Sequence, residues 1–158
     1  MLKDYTKETL QAVFNDENTD TDGLNFQETL EKMESFSPKQ WAVFKYFGED
    51  LELVSDIYEL DIDTDEIEIN GETLLVLTDD EADARWDEEL DSYLEDCVYS
   101  ELPENFAPYF DEKKWKQDAR FDGRGHAISH YDGDEHEYFI DGETPEEFYS
   151  DFIYIYRM

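Results

Sequence analysis

The chain has 158 residues and sets 45 aspartates and glutamates against 12 lysines and arginines, a formal charge of −33. Charge of this sign and size excludes direct binding to nucleic-acid phosphates or anionic lipid. The 11 Tyr, 11 Phe and 3 Trp are too many for a disordered chain and enough for a packed core.

No segment approaches the run of about 18 apolar residues that a membrane span needs, and the opening MLKDYTKETL has no apolar stretch of signal-peptide length. Lys3 to Phe14 is predicted as a helix with Thr6 as N-cap and Leu10, Val13 and Phe14 on one face. A polar loop, 15–25, follows. Within it Asn18, Asp20, Asp22 and Gly23 resemble the opening of a calcium-binding EF-hand loop. Position one would be Asn18, position twelve Thr29, and Asn25 would stand where an aliphatic packs, so a polar turn without ligand is expected. Residues 24–36 place Leu24, Leu30 and Met33 at roughly helical spacing. Ser37-Pro38 opens a further helix, with Ser as N-cap and Pro at the first helical position. That helix runs through Trp41, Val43, Phe44 and Phe47 to a stop at Gly48.

The period then changes. Asn70-Gly71 between two β-prone runs (67–77) is a two-residue hairpin signal. Thr78 or Asp79 opens a helix to about Tyr99, with an apolar seam of Trp86, Leu90, Tyr93, Leu94 and Cys97. Cys97, the single cysteine, reads as a small core side chain; it allows no intrachain disulfide and fits a reducing cytoplasm. Pro103 ends the helix, and a shorter one covers 111–121. Residues 126–131, 136–140 and 152–157 read as strands, with a helical turn starting at Pro145. The expected class is α+β: a small helical subdomain over 1–48, then an acidic domain over 49–158 in which a small antiparallel sheet is packed by the long acidic helix. The two regions are also compatible with one continuous domain.

Residues 49–112 hold 25 carboxylates and one base, Arg85, for a charge of −24, against −4 before and −5 after. Such a field costs the fold self-repulsion, and duplex DNA has a comparable density, about one charge per 1.7 Å of axis. A salt-adapted protein would scatter its acid over the whole surface. On the 79–99 helix Asp80, Asp83, Asp87, Asp91 and Glu95 recur every three or four residues and form one stripe, broadened by Glu81, Glu88 and Asp96. The competing reading is a plainly solvated face. Glu66 and Glu68 add a second cluster within 61–69, alternating with isoleucines as in a half-exposed strand. Replacing all five stripe acids by their amides is expected to relieve repulsion and to raise or preserve thermal stability.

His126, His130 and His136 lie near Asp122, Asp132 and Asp134, but no spacing among them is a known ligand motif, so neither metal nor cofactor is expected. Gly123-Arg124-Gly125 lacks the G-x-G-x-x-G spacing of a phosphate cradle. There is no Ser-His-Asp order and no cysteine with an activating partner, so the chain is read as non-enzymatic; an enzyme would rest only on the His/Asp/Arg cluster of 120–136.

At TDDEADARWDEELDSYLEDC (78–97) and KWKQDARFDGRGHAIS (114–129) the chain resembles small uncharacterised acidic proteins of bacteriophages, over roughly 65–158. The resemblance implies a phage or mobile-element origin and brings no catalytic residues. In charge, size and aromatic content the chain is also similar to phage DNA mimics of the anti-restriction and anti-CRISPR kind, without a shared motif. The expected function is therefore inhibition, in the cytoplasm of a bacterial host, of a basic DNA-binding protein: a restriction enzyme, CRISPR effector, nuclease or nucleoid protein. The rival is a small acidic interaction module that binds a partner without affinity for DNA through a C-terminal sheet edge including Tyr154 and Tyr156. A homodimer is compatible with either, through the helices bearing Trp41, Phe44 and Phe47 or through the 152–157 edge.

Overall fold

The computed structural model of the protein describes residues 1–63, 66–143 and 146–158. The class is α+β, with a four-stranded antiparallel sheet. Its strands are β1 (Ile67–Ile69), β2 (Glu72–Thr78), β3 (His136–Glu143) and β4 (Phe148–Arg157), in the order β1-β2-β4-β3.

Local chemistry sets the element ends. The Thr6 side chain caps α1 (Lys7–Asn15), and Asn25 caps α2 (Phe26–Glu34). Ser37 and Gln40 form a reciprocal capping box at the start of α3 (Pro38–Tyr46). A short helix, α4 (Val54–Glu59), follows a 3₁₀ turn over Leu51–Leu53. Asn70 (φ 52°) and Gly71 (φ 77°) both take the left-handed conformation that a type I′ hairpin turn requires, and so fix the β1–β2 register with Ile69 opposite Glu72.

Alternation along the strands sends side chains to two cores. Leu74, Val76, Ile140, Ile153 and Ile155 face α1–α4, where Tyr5, Phe36, Trp41 and Phe44 meet edge-on or tilted at ring-centre distances of 5.1–6.3 Å. Leu75, Leu77, Tyr154 and Tyr156 face the opposite side and pack with Ala82, Trp86 and Ile128. The second layer consists of α5 (Asp79–Tyr93) and α7 (Arg124–Ile128), reached through α6 (Glu112–Ala119). Burial on both faces explains why β2 and β4 read as near-continuous apolar runs.

Four expectations are corrected. Residues 126–131 are not a strand. Gly125, Ile128 and Ser129 are the buried positions, a spacing of three and one that suits the short helix α7. Beyond it, Ser129 Oγ donates to the Arg157 carbonyl at 2.8 Å and so ties the turn to the end of β4. Cys97 is exposed: α5 widens into a π-helical turn over Leu94–Val98, and the wider turn rotates Cys97 off the seam that buries Leu90 and Leu94. Tyr154 and Tyr156 lie on the central strand β4 and are buried, so they form no edge. Trp41 and Phe44 are fully enclosed in the first core and offer no dimer contact. The expected turn at Pro145, and Thr64 and Asp65 of the 61–69 cluster, lie outside the described residues.

Gly125 marks the tightest approach in the second layer. A Cβ there would stand 2.7 Å from Glu135 N, 2.8 Å from Asp134 C and 2.9 Å from the Gly133 carbonyl oxygen, all of them backbone. Gly125→Ala is expected to lower the unfolding free energy in urea by about 1–3 kcal/mol, because the strain cannot be relieved by rotating a side chain.

Candidate protein-binding face

Helix α5 starts at Thr78, whose Oγ1 accepts from Glu81 N at 3.3 Å and donates to Glu81 Oε1 at 3.0 Å. Lys39 Nζ reaches the same Glu81 carboxylate at 3.0 Å and the Asp63 carbonyl at 3.3 Å, and so joins α3 to α5. Burial alone would push the Glu81 carboxyl up, but the hydrogen bonds from Lys39 and Thr78 prevail and hold it below its ordinary value.

The acids of α5 divide into those that meet a base and those that do not. Asp79, Asp83, Asp87 and Asp91 recur every four residues on the side toward α6 and α7. Lys116, Arg120 and Arg124 recur every four residues in the opposite chain direction. Lys116 pairs with Asp91 and Arg120 with Asp87. Arg124 Nη1 lies 2.9 Å from Asp79 Oδ1 and 2.8 Å from Asp83 Oδ1, while its Nε lies 2.7 Å from Glu135 Oε2. The guanidinium of Arg124 also stacks over the Tyr154 ring, 4.4 Å from its centre. Burial would lower the pKa of that guanidinium, but its bonds to Glu135 and Asp79 raise it above the ordinary value. Glu135 in turn accepts from the Tyr156 hydroxyl at 2.6 Å, and burial together with this bond pushes the hydroxyl pKa up.

The stripe read from the sequence is thus split. Asp83, Asp87 and Asp91 belong to the internal ladder, although each remains more than half exposed. Asp80 and Glu95, with Glu88 between them, are exposed and pair with no base among the described residues. Glu66 and Glu68 are exposed at the outer strand of the sheet. Glu68 stands opposite Thr73, and alternation turns it to the side that carries α5. The bases of the ladder were missed in the sequence reading; their fourfold spacing at 116, 120 and 124, equal to that of the acids at 79, 83, 87 and 91, is the signal that finds them.

Past the ladder, α5 and its π turn face α6 and α7 across a groove of about 710 Å³, lined by Glu89, Tyr93, Cys97, Trp115, Asp122 and His126 among others. Tyr93 and Trp115 stack there at 5.7 Å with 12° between their planes. His136 packs against Tyr46 at 5.4 Å, with its Nε2 3.6 Å from Asp132 Oδ2. Among the described residues no group of three His, Cys, Asp or Glu is placed to hold a metal ion. The aspartates of the 16–22 turn accept local amides, Asn18 N on Asp16 at 2.9 Å and Asp22 N on Asp20 at 3.1 Å.

The split revises the expected effect of neutralising the stripe. Glu95→Gln should preserve or raise the melting temperature, because it removes repulsion from Asp91, whereas Asp80→Asn also gives up a favourable charge in the first turn of α5 and should change it little. Asp83→Asn with Asp87→Asn and Asp91→Asn should lower it, since three bases lose partners; exposed pairs contribute roughly 0–1 kcal/mol each. Arg124→Met should cost more, about 2–4 kcal/mol, because it leaves Glu135 part-buried without its cation.

The Glu81 pair adds a pH dependence. Its folded carboxyl titrates below the ordinary 4.5, so the stabilisation is complete above that value and is lost as pH falls through the lower, folded value. Melting curves of the protein and of Glu81→Gln should therefore differ at neutral pH and converge in acid as the pH falls through the lowered, folded value.

No protein-family model matches the chain, and neither a curated protein nor a solved structure matches it, so the geometry of this acidic face has to support the functional reading by itself.

Proposed function

We propose that the protein is a non-enzymatic DNA mimic from a phage or mobile element, acting in the bacterial cytoplasm on the DNA-binding groove of a basic host protein of the restriction, CRISPR, nuclease or nucleoid kind. The observation that carries this reading is the charge of −24 over residues 49–112, concentrated around a helix on which Asp80, Glu88 and Glu95 have no counter-charge among the described residues. Of the α5 acids, Glu81, Glu89 and the row Asp79, Asp83, Asp87 and Asp91 meet cations, whereas Asp80, Glu88 and Glu95 meet none among the described residues. Each of these acids still has a like-charged i, i+3 or i, i+4 neighbour (Asp80 with Asp83, Glu88 with Asp91, Glu95 with Asp91), at about 0.2–0.5 kcal/mol per pair, a cost that ordinary solubility does not require. Among the described residues no helix is long and apolar enough to cross a membrane, which is compatible with this location.

The form of the rival module that used Tyr154 and Tyr156 as an open edge loses support, because both side chains lie inside the second core. The two readings differ in what DNA does to the bound partner. A mimic is displaced by duplex DNA, whereas a module whose partner has no affinity for DNA is not.

Titration against DNA-cleaving restriction and RNA-guided enzymes should give inhibition that excess duplex DNA reverses. Association should slow steeply as salt is raised past the point where the screening length falls to about 8 Å. A fivefold variant (Glu66→Gln, Glu68→Gln, Asp80→Asn, Glu88→Gln, Glu95→Gln) should stay folded and lose inhibition by at least about tenfold, each contact being worth about 0.2–1 kcal/mol. Absence of inhibition across restriction, CRISPR and recombination nucleases, with no displacement of nucleoid proteins from DNA, would rule the reading out.

A further inference from the structure

On the face of the sheet that carries α5, no helix among the described residues lies over the outer end of the β3–β4 pair. Strand β4 presents Phe148, Ser150, Phe152, Tyr154 and Tyr156 to that side, and β3 presents Glu143, Asp141, Phe139 and Glu137 directly opposite the first four. Phe148 and Tyr154 therefore stand opposite carboxylates and Phe152 opposite Phe139, with successive positions on one face about 6.6–6.8 Å apart. At the inner end the arrangement is occupied. Arg124 stacks on Tyr154 at 4.4 Å while Glu135 holds its Nε at 2.7 Å. At the outer end the rings are open: Phe139 is 48%, Phe152 47% and Phe148 78% exposed, and Phe139 and Phe152 lean together at 5.1 Å. Elsewhere Arg157 stacks on Tyr131 at 3.8 Å, and Arg120 on Trp86 at 5.5 Å beside its Asp87 partner.

We infer that Phe152, Phe148 and Phe139, with Glu137 and Glu143 beside them, form a docking strip for arginine side chains of a basic protein partner, continuing outward the stack that Arg124 begins. A guanidinium gains twice there, from the ring faces and from carboxylates that accept its N–H groups, whereas a lysine ammonium is more strongly hydrated and has no planar face to lay on a ring. A second copy of the chain is disfavoured as occupant, because it would bring another −33 against an acid-edged patch. Anionic lipid is disfavoured for the same reason. The inference rests on the proposed function only in taking the partner to be basic, and it adds to that reading an aromatic anchor of the kind that dominates binding energy at interfaces.

The test uses two synthetic peptides of equal length and charge, one with arginine alternating with serine and one with lysine alternating with serine, titrated at moderate salt by calorimetry and backbone NMR. The arginine peptide should bind more tightly by about fivefold or more, with shift changes at residues 137–143 and 148–152. Phe148→Leu with Phe152→Leu keeps the apolar bulk and should bring the arginine peptide down to the affinity of the lysine peptide, which itself stays unchanged. Phe148→Thr with Phe152→Thr should do the same, with circular dichroism as the check on folding. Equal binding of both peptides by the native protein, a preference that survives the leucine pair, or a dimer in sedimentation that these substitutions dissolve would each overturn the strip. Because no DNA or nuclease is present, failure here leaves the DNA-competition result standing, and the reverse also holds.

Discussion

Twelve bases serve 45 acids in this chain, and the fold sets them mainly where elements meet. Lys3 holds Asp141 of β3, Lys39 joins α3 to Glu81 of α5, and Arg157 joins β4 to Glu72 of β2. Lys32 bonds Ser55 as well as Glu28 and so spans α2 and α4. Lys116, Arg120 and Arg124 hold α6 and α7 against α5. A scarce cation at a joint relieves repulsion where two acidic elements approach most closely, which is where an unscreened field would otherwise force them apart. The remaining acid is left to the solvent, and the outward charge follows from where the bases were needed.

These ties orient elements more than they hold the molecule together. Most are exposed pairs of small individual weight. The two cores on either side of β2 and β4 contribute the cohesion, since fully buried Trp41, Phe44, Tyr156 and the isoleucines of β4 each remove large apolar areas from water. Arg124 combines both roles. It is mostly buried, three carboxylates surround its fork, and it caps the Tyr154 ring, so one side chain connects α5, α7, the approach to β3 and the central strand.

Much of the fold was legible because its signals are short-range. Ser37-Pro38, Thr78 and Asn70-Gly71 act on their own turns, and each forms the cap or turn that its chemistry dictates. The apolar run in 152–157 was also readable as a strand, although it marks a central strand rather than an edge, because composition reports burial and not strand order. What the sequence hid depends on distant partners. Residues 126–131 carry β-prone composition, yet Ile128 and Ser129 are claimed by the second core and by the end of β4. Cys97 obeys a regular helix until one widened turn moves it outward. The acidic stripe was visible as a pattern, but its division into a docked row and a free row depends on bases more than 20 residues further along the chain.

That division gives α5 two sets of acids that respond to ionic strength with opposite sign. Added electrolyte screens the like charges of Asp80, Glu88 and Glu95 and makes the helix itself more favourable, while the same ions loosen the pairs by which α6 and α7 lie against it. Because the pairs are in contact and the free acids are more widely spaced, repulsion is screened first and attachment later. The helix therefore firms before its attachment slackens, and buried Ile128 with the Ser129 bond to the end of β4 keeps α7 seated once the surface pairs are screened.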